Sequence, residues 1–342
     1  MEINFSNAEK VTYDNKEAIR VYVGDTKVWD IEHVILTSGY TTFKINFKDG
    51  HTNNEIQIRS IPNPFFYRDP THYDKLLPIK KIYINDVEQT LTADNDGRYI
   101  FPINDNDIIK IEGNFGMFIN SSYVSSVETI SFADNLVSTN SMFFTLVATE
   151  PLDVSRLNTD KVVSMENMFA SCWASDIVGV SNFNTEKVKY FYYMFGNCHV
   201  TTLDLHNWNV SSATTMNRMF YYCNYLTTLD GLSNWDVSNV LIFEEMFYNC
   251  KSLTTLDLSG WCLNPEHKVV KMRRMFYGCE SLTMLNLSNI NFGSISVEYS
   301  DMFYGIPSTC TIIIDPTKFI NKYTGKTLTP EELGWTGTFT YI

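Results

Sequence analysis

A Met-Phe dipeptide recurs along most of the chain at a nearly constant spacing, and this repeat constrains the fold more than any other feature. Successive copies are separated by 26, 26, 25, 27, 29 and 27 residues, and the pairs begin at Met142, Met168, Met194, Met219, Met246, Met275 and Met302. A period of this length indicates stacked supersecondary units, none of which can bury its apolar face alone. The sequence therefore predicts a solenoid over this region.

Cysteine keeps the register of the repeat. Five of the seven cysteines follow their Met by four residues, where the first and last copies carry Leu146 and Ile306. A cysteine that alternates with Leu and Ile serves as a small apolar side chain. We therefore predict one buried structural column of free thiols, with Cys262 and Cys310 outside it, formed by Cys172, Cys198, Cys223, Cys250 and Cys279.

Each cysteine is followed by a segment of the type L-x-x-L-x-L, as in LTTLDLSGW from Leu253. Leucine at alternating positions before a Ser-Gly or Ser-Asn pair predicts a short strand closed by a turn. A second apolar column should follow, formed by Leu157, Phe183, Trp208, Trp235, Trp261 and Ile290. Between this column and the next Met, segments such as DVSNVLIFEEMF from Asp236 predict a short helical turn on the opposite side of each coil.

Repeats of the form MFxxCxxLTTLDLSNWDVSNV closely resemble the BspA-like leucine-rich repeats, a 26-residue repeat of bacterial and some protist surface proteins. The resemblance covers residues 119–315. It implies a right-handed solenoid of about seven coils, each with a short strand and a short helical turn, and it brings no catalytic residues. Members of that family are mostly adhesins or surface proteins. The first and last units depart from the pattern, as capping units do.

The segments outside the repeat predict further β-structure. Residues 1–32 contain AIRVYVGDTKVWD, whose alternation and Gly-Asp turn predict a hairpin. This stretch resembles the V-Y-x-G-x-x-x-V-W module near the ends of structural proteins of tailed phages; an arbitrary hairpin is the alternative. Short strands in residues 33–118 predict an all-β sandwich with a long aromatic loop at residues 63–78. Residues 316–342 should cap the last coil.

Composition narrows the classes of partner. Lys and Arg number 26 against 39 Asp and Glu, so the formal net charge is −13 and nucleic acid is a poor candidate partner. No apolar run reaches the roughly 18 residues that span a bilayer, so membrane insertion is not expected. The N-terminus MEINFSNAEK has no signal-peptide pattern, so we expect the chain either to stay in the cytoplasm or to leave by a route that needs no signal.

The sequence contains few motifs that are typical of catalysis or metal binding. There is no GxSxG, GxGxxG or HExxH motif, the six histidines show no ligand spacing, and no CxxC pair is present. The stretch TADNDGRYIFPI imitates a calcium loop, but Thr92 and Ile103 would occupy its first and twelfth positions, so a hairpin turn at residues 95–97 is predicted instead. We therefore expect no enzyme activity, no metal and no cofactor.

Two rows of outward-facing side chains are candidate binding residues. The first row lies two residues after the Met, where the first unit carries Phe144. It is an aromatic row formed by Tyr221, Tyr248, Tyr277 and Tyr304. Flat rings with a hydroxyl suit sugars or protein partners; packing between coils is the alternative. The second row comes from the variable position of L-x-L and comprises Asp204, Asp230, Asp257 and Asn286. It could meet a cation or a basic partner, or simply keep the face solvated.

These observations predict a non-enzymatic binding protein. The leading hypothesis is a tail or fibre component of a phage or prophage virion, assembled in the host cytoplasm, with its N-terminal region docked to other virion proteins. The solenoid would then present a surface to a host glycan or protein, and the chain could form a homo-oligomer. The alternatives are a BspA-like adhesin at a bacterial cell surface and, less favoured, a glycan-active enzyme.

Overall fold

The computed structural model confirms a β-dominated fold with a solenoid of about seven turns. No α-helix occurs in the ranges that the structure describes, which are residues 8–13, 16–23, 26–30, 40–47, 54–60, 79–93, 98–112, 115–119, 124–131, 136–148, 150–266, 269–292 and 296–342. The predicted loop at residues 63–78 and the predicted turn at residues 95–97 lie outside these ranges.

The first three strands form a small antiparallel sheet, and they are β1 (Ala8–Tyr13), β2 (Lys16–Val23) and β3 (Thr26–Asp30). Strands β2 and β3 pair with Val21 opposite Trp29. This is the pairing that the hairpin prediction for this stretch requires, because the strands are consecutive and antiparallel.

Eight further strands build two antiparallel sheets, and they are β4 (Tyr40–Phe47), β5 (Asn54–Ser60), β6 (Lys81–Ile84), β7 (Val87–Glu88), β8 (Arg98–Ile103), β9 (Ile108–Glu112), β10 (Phe115–Ile119) and β11 (Val124–Ser131). Their orders are β10-β5-β8 and β11-β4-β9-β6-β7. Ile58 of the first sheet and Ile82 and Ile109 of the second are fully buried and belong to one hydrophobic cluster with the solenoid interior. The sandwich core therefore continues into the solenoid core.

The solenoid strands are short, and they are β12 (Leu152–Asp153), β13 (Ile177–Val178), β14 (Thr202–Asp204), β15 (Thr228–Asp230), β16 (Thr255–Asp257), β17 (Val269–Lys271), β18 (Met284–Asn286), β19 (Ser296–Glu298), β20 (Thr311–Ile314) and β21 (Phe339–Tyr341). They pair in parallel with neighbouring coils, and Leu203 aligns with Leu229. In the Thr-Leu-Asp strands β14 and β15 the central Leu is buried and its neighbours face outward, as strand alternation predicts.

The Met-Phe segments form stacked turns, where a short helical turn was predicted. Around Met168, every second amide donates to the carbonyl three residues earlier, as Met168 donates to Met165. The amides between them donate to the next coil, as Phe169 donates to Met194. The residues just before and three after each Met have positive φ, and they are Ser141, Thr145, Asn167, Ser171, Tyr193, Asn197, Arg218, Tyr222, Glu245, Asn249, Arg274, Gly278, Asp301 and Gly305. A left-handed residue every fourth position cannot continue a helix and turns the remaining amides toward the neighbouring coil.

Columns of equivalent side chains from successive coils fill the interior. The Phe residues of the Met-Phe pairs stack along the whole solenoid, with ring centroids 5.4–5.8 Å apart. The predicted second column is also buried, and Trp208, Trp235 and Trp261 stack nearly parallel. The five thiols of the cysteine column are free and fully buried.

The cysteine column is joined to the backbone of the solenoid. The Sγ–H groups of Cys223, Cys250 and Cys279 donate to the Phe carbonyl of the preceding coil at 2.9, 3.0 and 3.2 Å. Burial raises the pKa of Cys223 and Cys250 well above the usual range and that of Cys279 to about 12. These thiols therefore act as hydrogen-bonded packing groups and not as nucleophiles.

The strand face of the solenoid is interrupted twice within residues 150–266. Strand β13 pairs with β12 and β15 pairs with β14, whereas β14 and β16 each start a new sheet. Both interruptions follow a coil with an inserted glycine, Gly179 or Gly231, which has φ of 93° or 94° and precedes a 3-10 helix. A Cβ on Gly231 would overlap the backbone nitrogen of His206 in the preceding coil. Each inserted coil thus lies tightly against the coil before it.

Tryptophan side chains bridge these interruptions. The indole N–H of Trp208 donates to Val180 O at 3.0 Å, and that of Trp261 donates to Leu232 O at 2.8 Å. Both acceptors are the first residues of the 3-10 helices Val180–Asn182 and Leu232–Asn234. The buried indole of Trp235, which follows a coil without an insertion, has no hydrogen-bond partner among the described residues.

The C-terminal segment closes the last coil. Strand β21 pairs in parallel with β20, and the rings of Trp335 and Phe339 contact Phe303 edge-on at 6.3 Å. The amide of Phe303 donates to Leu333 O, which takes the place of a next coil. The end of the Phe column is thereby covered.

Candidate binding surface

The tyrosine row, defined as Tyr221, Tyr248, Tyr277 and Tyr304, is a continuous stack on the outside of the solenoid. Successive ring centroids lie 5.1, 4.7 and 4.8 Å apart, with interplanar angles of 18°, 6° and 19°. Tyr304 is 52% exposed and the other three are half-buried. The structure therefore brings the four predicted tyrosines together.

A fifth tyrosine extends the row in a way that the register alone does not indicate. The coil of Met194 carries Gly196 two residues after the Met, and a Cβ there would overlap the ring of Tyr193. The Tyr193 ring thus occupies the space of the missing side chain and contacts Tyr221 at 5.7 Å. Burial raises the pKa of the Tyr193 hydroxyl to about 12.

The geometry of the tyrosine row limits what it can bind. Each inner ring has a neighbouring ring on both faces, so it offers a ligand its edge and hydroxyl and not a free face. Burial raises the pKa of Tyr221 and Tyr248, which keeps both hydroxyls protonated at neutral pH. The row can therefore donate hydrogen bonds, and its stacked faces contribute to packing between coils.

Alternating charges run beside the tyrosine row. Arg218 pairs with Glu245 at 2.6 Å, and Arg274 lies 3.8 Å from Glu245 and 3.4 Å from Asp301. The guanidinium of Arg218 also lies 5.3 Å from the ring centre of Tyr221. Because opposite signs alternate along this line, the row carries little net field of its own.

In the predicted acidic row on the strand face, the three Asp side chains are exposed and Asn286 is half-buried. Asp204 lies opposite Asp230, and Asp257 opposite Asn286. The Oδ1 atoms of Asp204, Asp257 and Asn286 accept a hydrogen bond from the amide two residues later, at 3.1, 3.0 and 3.2 Å. These side chains therefore shape the turn after each strand, and only their remaining lone pairs face solvent.

A second aromatic cluster was not predicted from the sequence. Trp173 and His199 stack with ring centroids 3.7 Å apart, and Tyr225 contacts His199 at 4.6 Å. Trp173 is 50% exposed and Tyr225 is 53% exposed. Trp173 and His199 directly follow successive cysteines of the column, so an aromatic residue at this register was the available signal.

The described residues contain one pair that resembles part of a catalytic site. His206 Nδ1 lies 2.7 Å from Asp204 Oδ1, and this hydrogen bond lowers the pKa of Asp204. Both side chains are exposed, at 55% and 65%, and lie on the open strand face. Among the described residues, no group of three His, Cys, Asp or Glu side chains could hold a metal ion.

No helix in the described ranges has the length and hydrophobicity needed to cross a bilayer.

A family model described as "Mycoplasma protein of unknown function, DUF285" matches residues 137–230 and 228–314. The two matches together cover just over half of the chain and coincide with the solenoid coils, which fits the resemblance to BspA-like repeats. Neither a curated protein nor a solved structure matches the chain.

Proposed function

The chain belongs to the DUF285 family, and we propose that it is a non-enzymatic attachment protein that binds its partner through the outer surface of the solenoid. The observation that carries this proposal is the alignment of surface side chains, coil after coil, into the continuous tyrosine row. A periodic surface of this kind suits an extended partner, because each coil presents the same groups at a fixed spacing.

The chemistry of the described residues supports binding over catalysis. The thiols of the cysteine column are buried, and burial raises the pKa of Cys223 and Cys250, so these two are poor nucleophiles. The exposed His206–Asp204 pair lies on an open face, whereas a catalytic dyad works in a site that excludes water. The partner class that these features support is a host surface glycan or protein.

Two kinds of protein are compatible with an attachment role, a bacterial surface adhesin and a virion component. The repeat family and the solenoid fit an adhesin of the BspA-like type at a bacterial cell surface. The resemblance of residues 21–29 to a module of tailed-phage structural proteins favours a virion component, in which the N-terminal sheet would dock to the particle. Genes for portal, capsid or tail proteins beside this gene would support the virion, and their absence would favour the adhesin.

Binding to whole cells tests the proposal. Fluorescently labelled protein is incubated with epithelial cells and, separately, with bacterial cells, and competition with unlabelled protein reports saturable binding. We expect saturable binding to one of the two, weakened in the double variant Tyr248→Ala, Tyr277→Ala. No saturable binding to either cell type would contradict an attachment function.

If the double variant keeps full binding, the tyrosine row contributes to packing between coils and not to binding. The control is Tyr323→Ala, because Tyr323 lies outside the tyrosine row and is 81% exposed. Thermal unfolding of each variant verifies that the solenoid still folds.

A further inference from the structure

The cluster of Trp173, His199 and Tyr225 lies at positions where the fold does not need aromatic rings. Trp173 and His199 directly follow a cysteine, where later coils carry Asn224, Lys251 or Glu280, and Tyr225 lies one residue further on, where later coils carry Ser. Polar side chains therefore satisfy both registers. An indole left half exposed gains only part of the free energy of burial. Packing of the solenoid therefore does not explain why large rings stand at this place.

The cluster differs from the tyrosine row in the surface that it offers. In the tyrosine row, the inner rings are covered by a ring on each face. Within residues 150–266, His199 is the one ring that stacks on Trp173, and half of the Trp173 side chain remains exposed. The imidazole between Trp173 and Tyr225 holds the indole in place, which lowers the entropy lost when a ligand packs on it.

The surroundings of the cluster are short and polar. The exposed side chains that follow Trp173 and His199 along their coils are Ser175, Asp176, Thr201 and Thr202. They supply hydroxyl and carboxylate groups, whereas the core of a stable protein interface is depleted of charged residues and rich in aromatic and apolar ones. A ligand of one or two rings with many hydroxyl groups matches this surface better than a protein does.

Charge decides which ligand of that size is favoured. The chain has a formal net charge of −13, so anionic sugars are repelled. Burial lowers the pKa of His199, and the imidazole is therefore neutral at pH 7 and gives the cluster no positive charge. A neutral sugar can pack its C–H groups on the electron-rich ring face and bond its hydroxyls to the adjacent polar side chains.

We propose that Trp173, His199 and Tyr225 form a binding subsite for a neutral pyranose ring of a surface glycan, with Trp173 as the stacking platform. The proposal rests on the attachment function and specifies its ligand class. It also places sugar stacking at this cluster and not on the covered faces of the tyrosine row.

The test is a titration of the full chain with the methyl glycosides of glucose, galactose, mannose, N-acetylglucosamine and N-acetylgalactosamine. The indole N–H signals of the 15N-labelled protein report binding, and Trp173→Phe identifies the Trp173 signal. We expect a saturable shift of that signal with at least one glycoside. Trp173→Ala should weaken this binding by about tenfold or more.

The control is Tyr323→Ala, which removes an exposed tyrosine outside both the cluster and the tyrosine row, and should change the affinity by less than about twofold. Failure of all five glycosides to shift the Trp173 signal would overturn the subsite, as would a loss of affinity in Tyr323→Ala but not in Trp173→Ala. Thermal unfolding of both variants verifies folding.

Cell binding separates this inference from the proposed function. The first informative result is that Trp173→Ala binds cells as well as the unchanged chain does and that binding survives periodate oxidation of cell-surface sugars. This result would support the attachment function and contradict the sugar subsite. If the chain binds a glycoside but no cell, the subsite stands and the attachment function falls.

Discussion

At the scale of single residues, the buried thiols predict how stability depends on pH. The unfolded chain releases thiol protons near pH 9, whereas burial holds the pKa of Cys279 at about 12 and that of Cys223 and Cys250 well above 9. Because the folded state keeps protons that the unfolded state loses, the free energy of unfolding falls as pH rises above 9. Each such thiol contributes a slope of up to about 1.4 kcal/mol per pH unit.

Denaturant unfolding at pH values from about 7 to 11 measures this slope, because this range brackets the pKa of a thiol in the unfolded chain. Cys250→Ala should reduce the steepness of the decline by the share of one thiol. Cys262→Ala is the control, because Cys262 is exposed and should leave the slope unchanged. Equal slopes in all three proteins would show that the buried thiols do not govern the alkaline loss of stability.

Two tryptophans of the same column differ by one hydrogen bond. Trp261 donates to Leu232 O, whereas Trp235 has no partner for its indole N–H among the described residues. Replacement by Phe removes similar apolar volume at both sites. Trp261→Phe should therefore lower the free energy of unfolding by about 1 kcal/mol more than Trp235→Phe does. Indistinguishable losses in denaturant titrations would contradict a contribution from this bond.

The residues of the interior were predictable because a fixed period reveals them. The five column cysteines and the Trp column follow from their spacing to the Met and are buried as expected. The contact between Trp173 and His199 was harder to predict, because only two coils carry rings at that register. Tyr193 was also missed, since its ring occupies a space that another residue, Gly196, leaves empty.

At the scale of the element, the inserted glycines predict a large difference in stability between two glycine-to-alanine substitutions. Gly231 and Gly325 both have positive φ, but a Cβ on Gly231 would overlap the preceding coil, whereas nothing lies within 4 Å of a Cβ on Gly325. Ala at either site carries the left-handed penalty. Gly231→Ala should cost about 1–3 kcal/mol more, measured by denaturant unfolding; similar losses would mean that the coils separate freely there.

The strands of the solenoid were predicted well, whereas the helical turn before each Met was not. The apolar spacing in DVSNVLIFEEMF is compatible with a helix, but the hydrogen bonds to the next coil outweigh this local pattern. Residues such as Arg218 and Glu245 adopt left-handed φ, which their types do not favour. The stack of coils imposes that conformation, and single-segment propensity cannot reveal it.

At the scale of the whole molecule, we expect the C-terminal segment to protect the chain from self-association. A chain that ends at Asp315 would lose Trp335 and Phe339 and would uncover Phe303 and the free edge of β20. An open apolar coil end with an unpaired strand is a surface for self-association. We expect the truncated chain to show a larger mass than the full chain in size-exclusion chromatography with light scattering. An unchanged mass and melting temperature would show that the last coil is self-sufficient.

The interruptions of the strand face have a consequence for mechanical strength. After β13 and after β15, adjacent coils lack strand pairing in residues 150–266 and are joined on that side by a Trp indole, while the stacked Met-Phe turns continue across. Under a pulling force, these two junctions should yield first. The 52 residues 179–230 would then unfold as one block with an extended length of roughly 170–190 Å. A tether built in this way lengthens in steps and absorbs load before it detaches.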